Sequence, residues 1–297
     1  MHLYTRQKLL LNLIAAAGGR LGSTDLQKLL FLYVVKWDAE AGYRFVPHRF
    51  GCFSFQAAKD LETLTAKGCV EEDSRSRWCL SPVGQEQVNP IEAGHLKMFV
   101  EQTVPERGDA LISRIYQDYP YFACRSGIVN RVVADPAVRK RIRQARPSAT
   151  ETAVFTIGYE GDSIDGYLDR LIRHNVKLLC DVRKNPLSRK TGFSKRSLAA
   201  YCEKVGIEYV HLPELGIPGH RRRELNSRAD YEALFEEYTR EDLPLAGEAV
   251  LRLGELMRQY GRIALTCFEK VHEECHRHCV AEEMLRVLPD CPEPQHI

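Results

Sequence analysis

The sequence lacks an apolar run of about 18 residues, the length expected of a membrane-spanning helix. Its first residues enter an amphipathic pattern and lack the apolar core of a signal peptide. The formal net charge is only +2, so affinity for nucleic acid or for a membrane surface would have to come from a local patch. We therefore expect a cytoplasmic protein with no membrane association.

Cysteine is not scarce, but the ten cysteines are scattered and none forms a Cys-x-x-Cys pair. Without a secretion signal we expect a reducing compartment, where cysteines act as small buried side chains or as site thiols and not as a disulfide framework.

The chain has 44% apolar and 28% charged residues, as in globular proteins. Its 297 residues are enough for two domains.

The first half of the chain has helical patterns at residues 5–17 and 26–33, and Ser54 is a predicted N-cap for a third helix at 55–67. A short hairpin is predicted to follow at 69–82. Helices followed by a small hairpin are typical of a winged helix, so residues 1–90 are predicted to form a mainly helical, winged-helix-like domain. Residues 91–150 are predicted to be a helical connector that ends at a domain boundary near Pro147.

From Ala153 onward, strand patterns alternate with helical patterns. Strands are predicted at 154–158, 176–183, 207–212 and 262–266, and helices at 165–174, 197–205, 231–238, 246–260 and 276–288. This alternation predicts an α/β fold for residues 151–297, with a Rossmann-like, mostly parallel sheet.

Polar side chains follow three of the predicted strands, at 158–161, 181–183 and 267–269. Ligands of open parallel sheets bind at the carboxyl ends of the strands, so these side chains predict a cleft. The candidate catalytic residues are Glu269, Cys267, Cys275, His276 and Asp181. The candidate ligand-binding residues are Gly158, Tyr159, Glu160, Gly161, Arg183, Ser188, Arg189, Phe193, Lys195 and Arg277.

The chemistry of these residues suits an anionic ligand. Cys275 is predicted to lie at a helix amino terminus beside His276 and Arg277, where the helix dipole and the cations would favour a thiolate nucleophile. Glu269 would serve as a general acid or base. The arginines and Lys195 would bind a phosphate or carboxylate, and the rings of the candidate set would stack on a base. The predicted ligand is therefore a small anionic or nucleotide-like molecule.

Structural interpretations of the same residues remain open. Cys267 follows a buried strand and would serve equally well as a core residue. Asp181 and Arg183 could pair with each other to hold a loop, and Glu269 could cap the following helix. A solvated helix face is the simplest interpretation of the basic run at 139–143, and a phosphate-contacting patch is the alternative.

A metal site is a further alternative, because five potential ligands lie close together in the sequence. They are His272, Cys275, His276, His278 and Cys279, and Cys267 lies close to them in the sequence. They lack the paired Cys-x-x-Cys knuckles of a structural zinc site, so an anion-binding cleft is favoured over a metal and no cofactor is identified.

Residues 153–288 resemble the family known as domain of unknown function 488. The motifs that carry the resemblance are Gly158-Tyr159-Glu160-Gly161, Asp181-Val182-Arg183-x-x-Pro186-x-Ser188, Phe193-x-Lys195, Tyr209-x-His211-x-Pro213-x-Leu215-Gly216, Cys267-x-Glu269-Lys270 and Cys275-His276-Arg277. The resemblance implies the α/β fold and the location of a site, but no reaction.

Residues 5–90 resemble the Panacea domain family, through Leu26-Gln27-Lys28, Tyr43-x-Phe45-x-Pro47, Phe50-Gly51-Cys52-Phe53-Ser54 and Asp60-Leu61. Such domains resemble antitoxin and adaptor modules, which implies a protein partner for residues 1–90 and regulatory work.

The favoured function is an enzyme acting on a nucleotide, a nucleic-acid base or another phosphorylated ligand.

Two other functions stay open. One is a non-catalytic ligand sensor or adaptor in a toxin–antitoxin or phage-defence system. The other is a DNA-binding regulator, whose recognition helix at 55–67 would carry only Lys59 and Lys67 as cations, against Asp60 and Glu62. That charge is low for a recognition helix, so nucleic acid is the weaker prediction.

Overall fold

Apolar side chains of the described residues form a hydrophobic core in the unit Met1–Arg146 and another in the unit Pro147–Ile297. The computed structural model describes residues 1–103, 105–222 and 227–297. Among those residues, no helix combines the length and the apolar character that a bilayer crossing requires.

The helices of the N-terminal unit are α1 Thr5–Ala16, α2 Ser23–Lys36, α3 Phe55–Ala66, α4 Pro82–Glu86, α5 Pro90–Met98, α6 Gly108–Asp118, α7 Pro120–Ala123, α8 Val129–Val132 and α9 Pro136–Gln144. Its strands are β1 Arg20–Gly22, β2 Val46–His48, β3 Gly51–Phe53, β4 Val70–Glu72 and β5 Arg77–Leu80. Strands β1, β5 and β4 form an antiparallel sheet in that order, and β2 pairs with β3. Three helices and this small sheet confirm the predicted winged-helix-like arrangement.

One core extends over the whole N-terminal unit. It includes Leu10 of α1 and Leu30 of α2 together with Ile115 of α6 and Ile142 of α9, all of them buried. Residues 91–146, which were predicted to be a connector, thus contribute to the same core as residues 1–90. The predicted cap is also present, since the Ser54 side chain accepts a hydrogen bond from the backbone N–H of Ala57 at 3.2 Å.

The helices of the C-terminal unit are α10 Ile164–Arg173, α11 Lys195–Lys204, α12 Arg228–Glu237, α13 Leu243–Leu245, α14 Gly247–Tyr260 and α15 Arg277–Val287. Its strands are β6 Ala153–Gly158, β7 Leu178–Asp181, β8 Glu208–His211, β9 Arg262–Cys267 and β10 Gln295–His296. The strand order is β10-β6-β9-β7-β8, and every pairing among these described strands is parallel. The predicted α/β fold with a parallel sheet is confirmed. Strand β10 was not predicted.

The two faces of this sheet are covered by different helices. Ile263 and Leu265 of β9 belong to the core that contains side chains of α14 and α15. Side chains alternate along a strand, so Thr266 points to the opposite face, where its hydroxyl accepts a hydrogen bond from Tyr167 of α10 at 2.7 Å. After β6 and β7 the chain therefore turns toward the face that α10 covers. After β9, which lies between them, it turns toward the face that α14 and α15 cover.

Candidate active site

A cleft of about 340 Å³ opens at the carboxyl ends of β6, β9 and β7. Loops that leave neighbouring strands toward opposite faces of a sheet create such a crevice, and it is where ligands of open α/β sheets bind. The cleft is lined by Tyr159, Arg183, Lys184, Asn185, Leu187, Ser188, Arg189, Ile217, Gly219, Cys267, Phe268, Glu269 and His276. The predicted location of the site at the strand ends thus coincides with a real concavity.

The loops that follow β6 and β9 are packed directly against each other. A Cβ atom at Gly158 would lie 1.8 Å from the carbonyl oxygen of Glu269, so only glycine fits there. The backbone N–H groups of Tyr159 and Glu160 both donate to the carbonyl of Phe268, at 3.1 and 2.9 Å. Gly158, a candidate ligand-binding residue, thus has a packing role: it lets the Glu269 loop approach the end of β6.

A buried ion pair organises the loop after β7. Arg183 donates from Nε to one Asp181 oxygen at 2.8 Å and from a terminal nitrogen to the other, and Tyr209 also donates to Asp181, at 2.6 Å. The same guanidinium donates to the Tyr159 hydroxyl at 2.8 Å and to the Phe193 carbonyl at 2.9 Å. Asp181 is fully buried. The open alternative, in which Asp181 and Arg183 pair to hold a loop, is the arrangement observed.

Two histidines hold consecutive carbonyls of that loop. Nε2 of His276 lies 3.0 Å from the Val182 oxygen, and Nε2 of His211 lies 2.8 Å from the Arg183 oxygen. A carbonyl only accepts, so we assign the proton to Nε2 in both rings. In the neutral form of either ring, Nδ1 is then the acceptor. In His211 it faces Nζ of Lys195 at 3.0 Å, and in His276 it faces two thiols.

Arg277 was predicted to bind the ligand, but its guanidinium points elsewhere. It is 1% exposed and donates to the carbonyls of Glu269 at 2.6 Å and Lys270 at 3.0 Å. Charge-assisted hydrogen bonds of this kind fix a backbone strongly. Arg277 therefore positions the loop that carries Glu269, and it is not among the described residues that line the cleft.

Three of the five candidate catalytic residues, Cys267, Glu269 and His276, line the cleft, and Cys275 lies buried beside His276. The sulfur of Cys267 lies 3.5 Å from a carboxylate oxygen of Glu269 and 3.7 Å from Nδ1 of His276. The sulfur of Cys275 lies 4.0 Å from the same nitrogen. Burial raises the pKa of the Cys275 thiol well above its ordinary value, and the neighbouring Cys267 raises it further. This direction does not favour the predicted thiolate in the metal-free chain, because desolvation opposes the helix dipole.

The aromatic candidates stack on each other. The rings of Tyr159 and Phe193 are parallel, with centroids 4.3 Å apart. Phe193 is fully buried, so the prediction that its ring stacks on a ligand is wrong. Lys195 contacts His211 and is not among the described residues that line the cleft.

Ser188 and Arg189 do line the cleft, together with the cation Lys184, which was not predicted from the sequence. Lys184 directly follows the Asp181-Val182-Arg183 motif, and this position next to the motif could have indicated that Lys184 belongs to the site. Glu160 and Gly161 lie at the turn after β6, where Gly161 has a φ of +71° and the Glu160 carboxylate accepts from the Lys270 N–H at 3.1 Å.

The predicted cluster of metal ligands separates into two groups. The ring of His272 stacks on His296 with centroids 3.5 Å apart, and the sulfur of Cys279 lies 3.3 Å from Nε2 of His278. Cys275 and His276 instead face Cys267. The turn at the start of α15 thus directs Cys275 and His276 away from His272, His278 and Cys279. The five residues, although close in sequence, do not form one site.

A second, larger groove of about 1190 Å³ lies beside α12 and α15. Seven glutamates are among the described residues that line it, against two arginines, Arg228 and Arg240. Such a surface repels anions, so the smaller cleft is the better candidate for an anionic ligand.

The fold and this site define an α/β unit with a polar cleft at the switch point of its sheet. Residues 163–284 match the family model described as Domain of unknown function DUF488. The match includes the site residues from Asp181 to Arg277 and confirms the resemblance predicted for the C-terminal half. Comparisons with curated proteins and with solved structures gave no match. The Panacea resemblance of residues 5–90 stays a prediction.

Proposed function

We propose that the C-terminal unit is an enzyme that acts on a nucleotide, a nucleic-acid base or another phosphorylated ligand in this cleft. The observation that carries the proposal is the convergence of Cys267, Glu269 and His276 at the floor of one concavity. A purely structural turn has no need of two thiols, an imidazole and a carboxylate in contact.

The size and charge of the cleft support a small anionic ligand. Its volume of about 340 Å³ lies at the lower end of the range for small-molecule sites. Lys184 and Arg189 are exposed at its rim, and Ser188 adds a hydroxyl. A phosphate at the rim would receive charge-assisted hydrogen bonds from these cations while the remainder of the molecule reaches the floor.

Glu269 is the proposed general acid–base group. Its side chain is partly exposed and lines the cleft, whereas Asp181 is enclosed by Arg183 and Tyr209. Arg277 and the close contact with Gly158 hold the backbone of Glu269 in place. A proton-transfer group must be both accessible and positioned, and Glu269 satisfies both conditions.

The test is turnover of a defined panel of ribonucleotides, deoxyribonucleotides, nucleosides and bases, followed by mass spectrometry. Glu269→Gln should lower turnover by about 10²–10⁴-fold and retain binding, because only proton transfer is lost. Glu274→Gln, an exposed glutamate of the same loop, is the matched control and should behave as wild type. Equal activity of wild type and Glu269→Gln would contradict the role of Glu269.

Binding is tested separately by calorimetry with the same panel and with inorganic phosphate. Arg189→Ala should weaken binding of phosphorylated probes and leave unphosphorylated bases unaffected. Failure of every probe to bind would refute the proposal. Binding without turnover in wild type would favour the sensor function instead.

We propose an adaptor or regulatory role for the N-terminal unit, supported by its resemblance to the Panacea family. Its exposed Trp37, with 50% of its surface accessible, is a suitable contact for a protein partner. Affinity purification of the tagged full chain from its own cells should recover a partner that Trp37→Ala loses. Recovery of the same proteins with both forms would contradict this contact.

A further inference from the structure

We propose that Cys267, Cys275 and His276 bind a Zn²⁺ ion at the floor of the cleft, with the fourth coordination position open to the ligand. The inference deepens the proposed function and rests on it, because it names the cofactor of the same site. The ligand set differs from the one that the sequence suggested, since it includes Cys267 and excludes His272, His278 and Cys279.

The distances between the donor atoms fit a metal. The two sulfurs and Nδ1 of His276 all lie within 4.8 Å of one another, and the sulfur–nitrogen distances are 3.7 and 4.0 Å. In a tetrahedral zinc site the bond lengths require a sulfur–nitrogen separation of about 3.6 Å. A change of a few tenths of an ångström would therefore bring both sulfur–nitrogen distances to that value.

The surroundings of His276 also suit a ligand. Its Nε2–H donates to the Val182 carbonyl at 3.0 Å, which leaves the lone pair of Nδ1 directed at both thiols. Metal-binding histidines typically donate their other ring N–H to such a carbonyl. Cys267 and Cys275 are each 1% exposed and His276 is fully buried, so the three donors are held in place by packing.

The donor types and their exposure select the metal and its role. Two thiolates and one imidazole favour zinc, and three protein ligands with an open position are typical of catalytic rather than structural zinc. Cys267 and His276 line the cleft, so the open position faces it. Glu269, with its oxygen 3.5 Å from the Cys267 sulfur, would lie beside a metal-bound water.

This arrangement assigns hydrolysis as the reaction class. Zinc activates a bound water as a nucleophile, and zinc deaminases of bases combine His and Cys ligands with a nearby glutamate in this way. The water oxygen would form a bond to an electrophilic carbon or phosphorus of the substrate. Glu269 would take the proton from the water and deliver it to the leaving group as the bond to that group breaks.

The test is titration of the reduced, metal-free full chain with Co²⁺, followed by absorption spectroscopy. One equivalent should bind, with the visible bands of a four-coordinate ion and a thiolate-to-cobalt band of two thiolates. Cys267→Ser and Cys275→Ser should each lose about half of that band. Cys279→Ser, a buried cysteine four residues after Cys275, is the matched control and should keep it.

Wild-type protein provides a test that no folding defect can obscure. X-ray absorption of the zinc-loaded chain should show two sulfur and one or two nitrogen or oxygen ligands. Failure of the reduced chain to bind either metal at one equivalent, or a zinc shell without sulfur, would overturn the inference. Loss of the band in Cys279→Ser but not in Cys267→Ser would also overturn it.

The two proposals fail in different ways. Turnover that persists after complete removal of the metal would overturn the catalytic role of zinc and leave the enzyme proposal intact. Zinc bound by the three residues, without turnover of any probe, would contradict the enzyme proposal and support the metal site.

Discussion

The contact between Gly158 and the Glu269 loop makes the sharpest prediction about how the site is built. In Gly158→Ala the new Cβ would lie 1.8 Å from the Glu269 oxygen and 2.7 Å from its carbonyl carbon. Both neighbours are backbone atoms, so the loop must move by more than about 1 Å to reach an ordinary contact distance. That movement would also weaken the 2.6 Å hydrogen bond from Arg277 to the same oxygen.

The expected cost is about 3–5 kcal/mol of unfolding free energy, which combines overpacking with the loss of a buried, charge-assisted hydrogen bond. Urea denaturation followed by far-UV circular dichroism measures it. Hydrogen exchange should also speed up at the Tyr159 and Glu160 amides, which bond to the Phe268 carbonyl.

Gly247→Ala is the matched control for Gly158→Ala. It lies at the start of α14, where a Cβ would meet no atom within 4 Å. Alanine there should be neutral or stabilising by up to about 1 kcal/mol. If Gly158→Ala were as stable as Gly247→Ala, with unchanged exchange at both amides, the reasoning about this contact would be refuted.

Three further predictions concern the same unit. Arg183→Met should lower the unfolding free energy by about 3–5 kcal/mol in urea denaturation, because it leaves the buried Asp181 carboxylate without its ion pair. The loss should be smaller when Asp181 is already replaced by asparagine, and an equal loss in both backgrounds would contradict the coupling of the two residues. Tyr167→Phe should cost about 1–2 kcal/mol through its lost bond to Thr266, and no further loss is expected when Thr266→Val is added. Burial, together with two nearby arginines, lowers the pKa of His174 below 6.5 in the folded chain. As the pH falls through 6.5, the unfolded chain therefore binds more protons at His174 than the folded chain does, and the folded state loses stability. The resulting loss of stability toward acid should be smaller in His174→Gln, and identical pH profiles of the two proteins would exclude this contribution.

The buried strands of the C-terminal unit could be predicted because their side chains are apolar on both faces. Residues 154–158 and 262–266 were predicted as strands, and the structure has Ala153–Gly158 and Arg262–Cys267. The strand predicted at 176–183 ends earlier, at Asp181, because the backbone of Arg183 turns to donate to the Asp181 carboxylate at 3.1 Å. Strand β10 was missed, since its two residues are polar and are ordered by pairing with β6.

The site was predictable in its location and only partly in its roles. Parallel strands bring their carboxyl ends to one edge, so the sequence order of β6, β7 and β9 was enough to group the polar residues. The partner of each cation was not visible, because a guanidinium such as that of Arg277 can bond equally to a ligand or to a backbone carbonyl. The direction of the side chains around the start of α15 was equally hidden, and it decides that Cys275 faces Cys267 while Cys279 does not.

The position of β9 has a consequence for the synthesis of this protein. It occupies the centre of the sheet, between β6 and β7, although about a hundred residues of chain separate it from β6. Until the ribosome has released residues 262–267, β6 and β7 have no shared neighbour, and the backbone N–H and C=O groups that would pair with β9 stay unpaired. Such non-local pairing is slow and leaves unpaired edges open to aggregation. The sheet of the C-terminal unit can therefore be completed only after β9 has been synthesised.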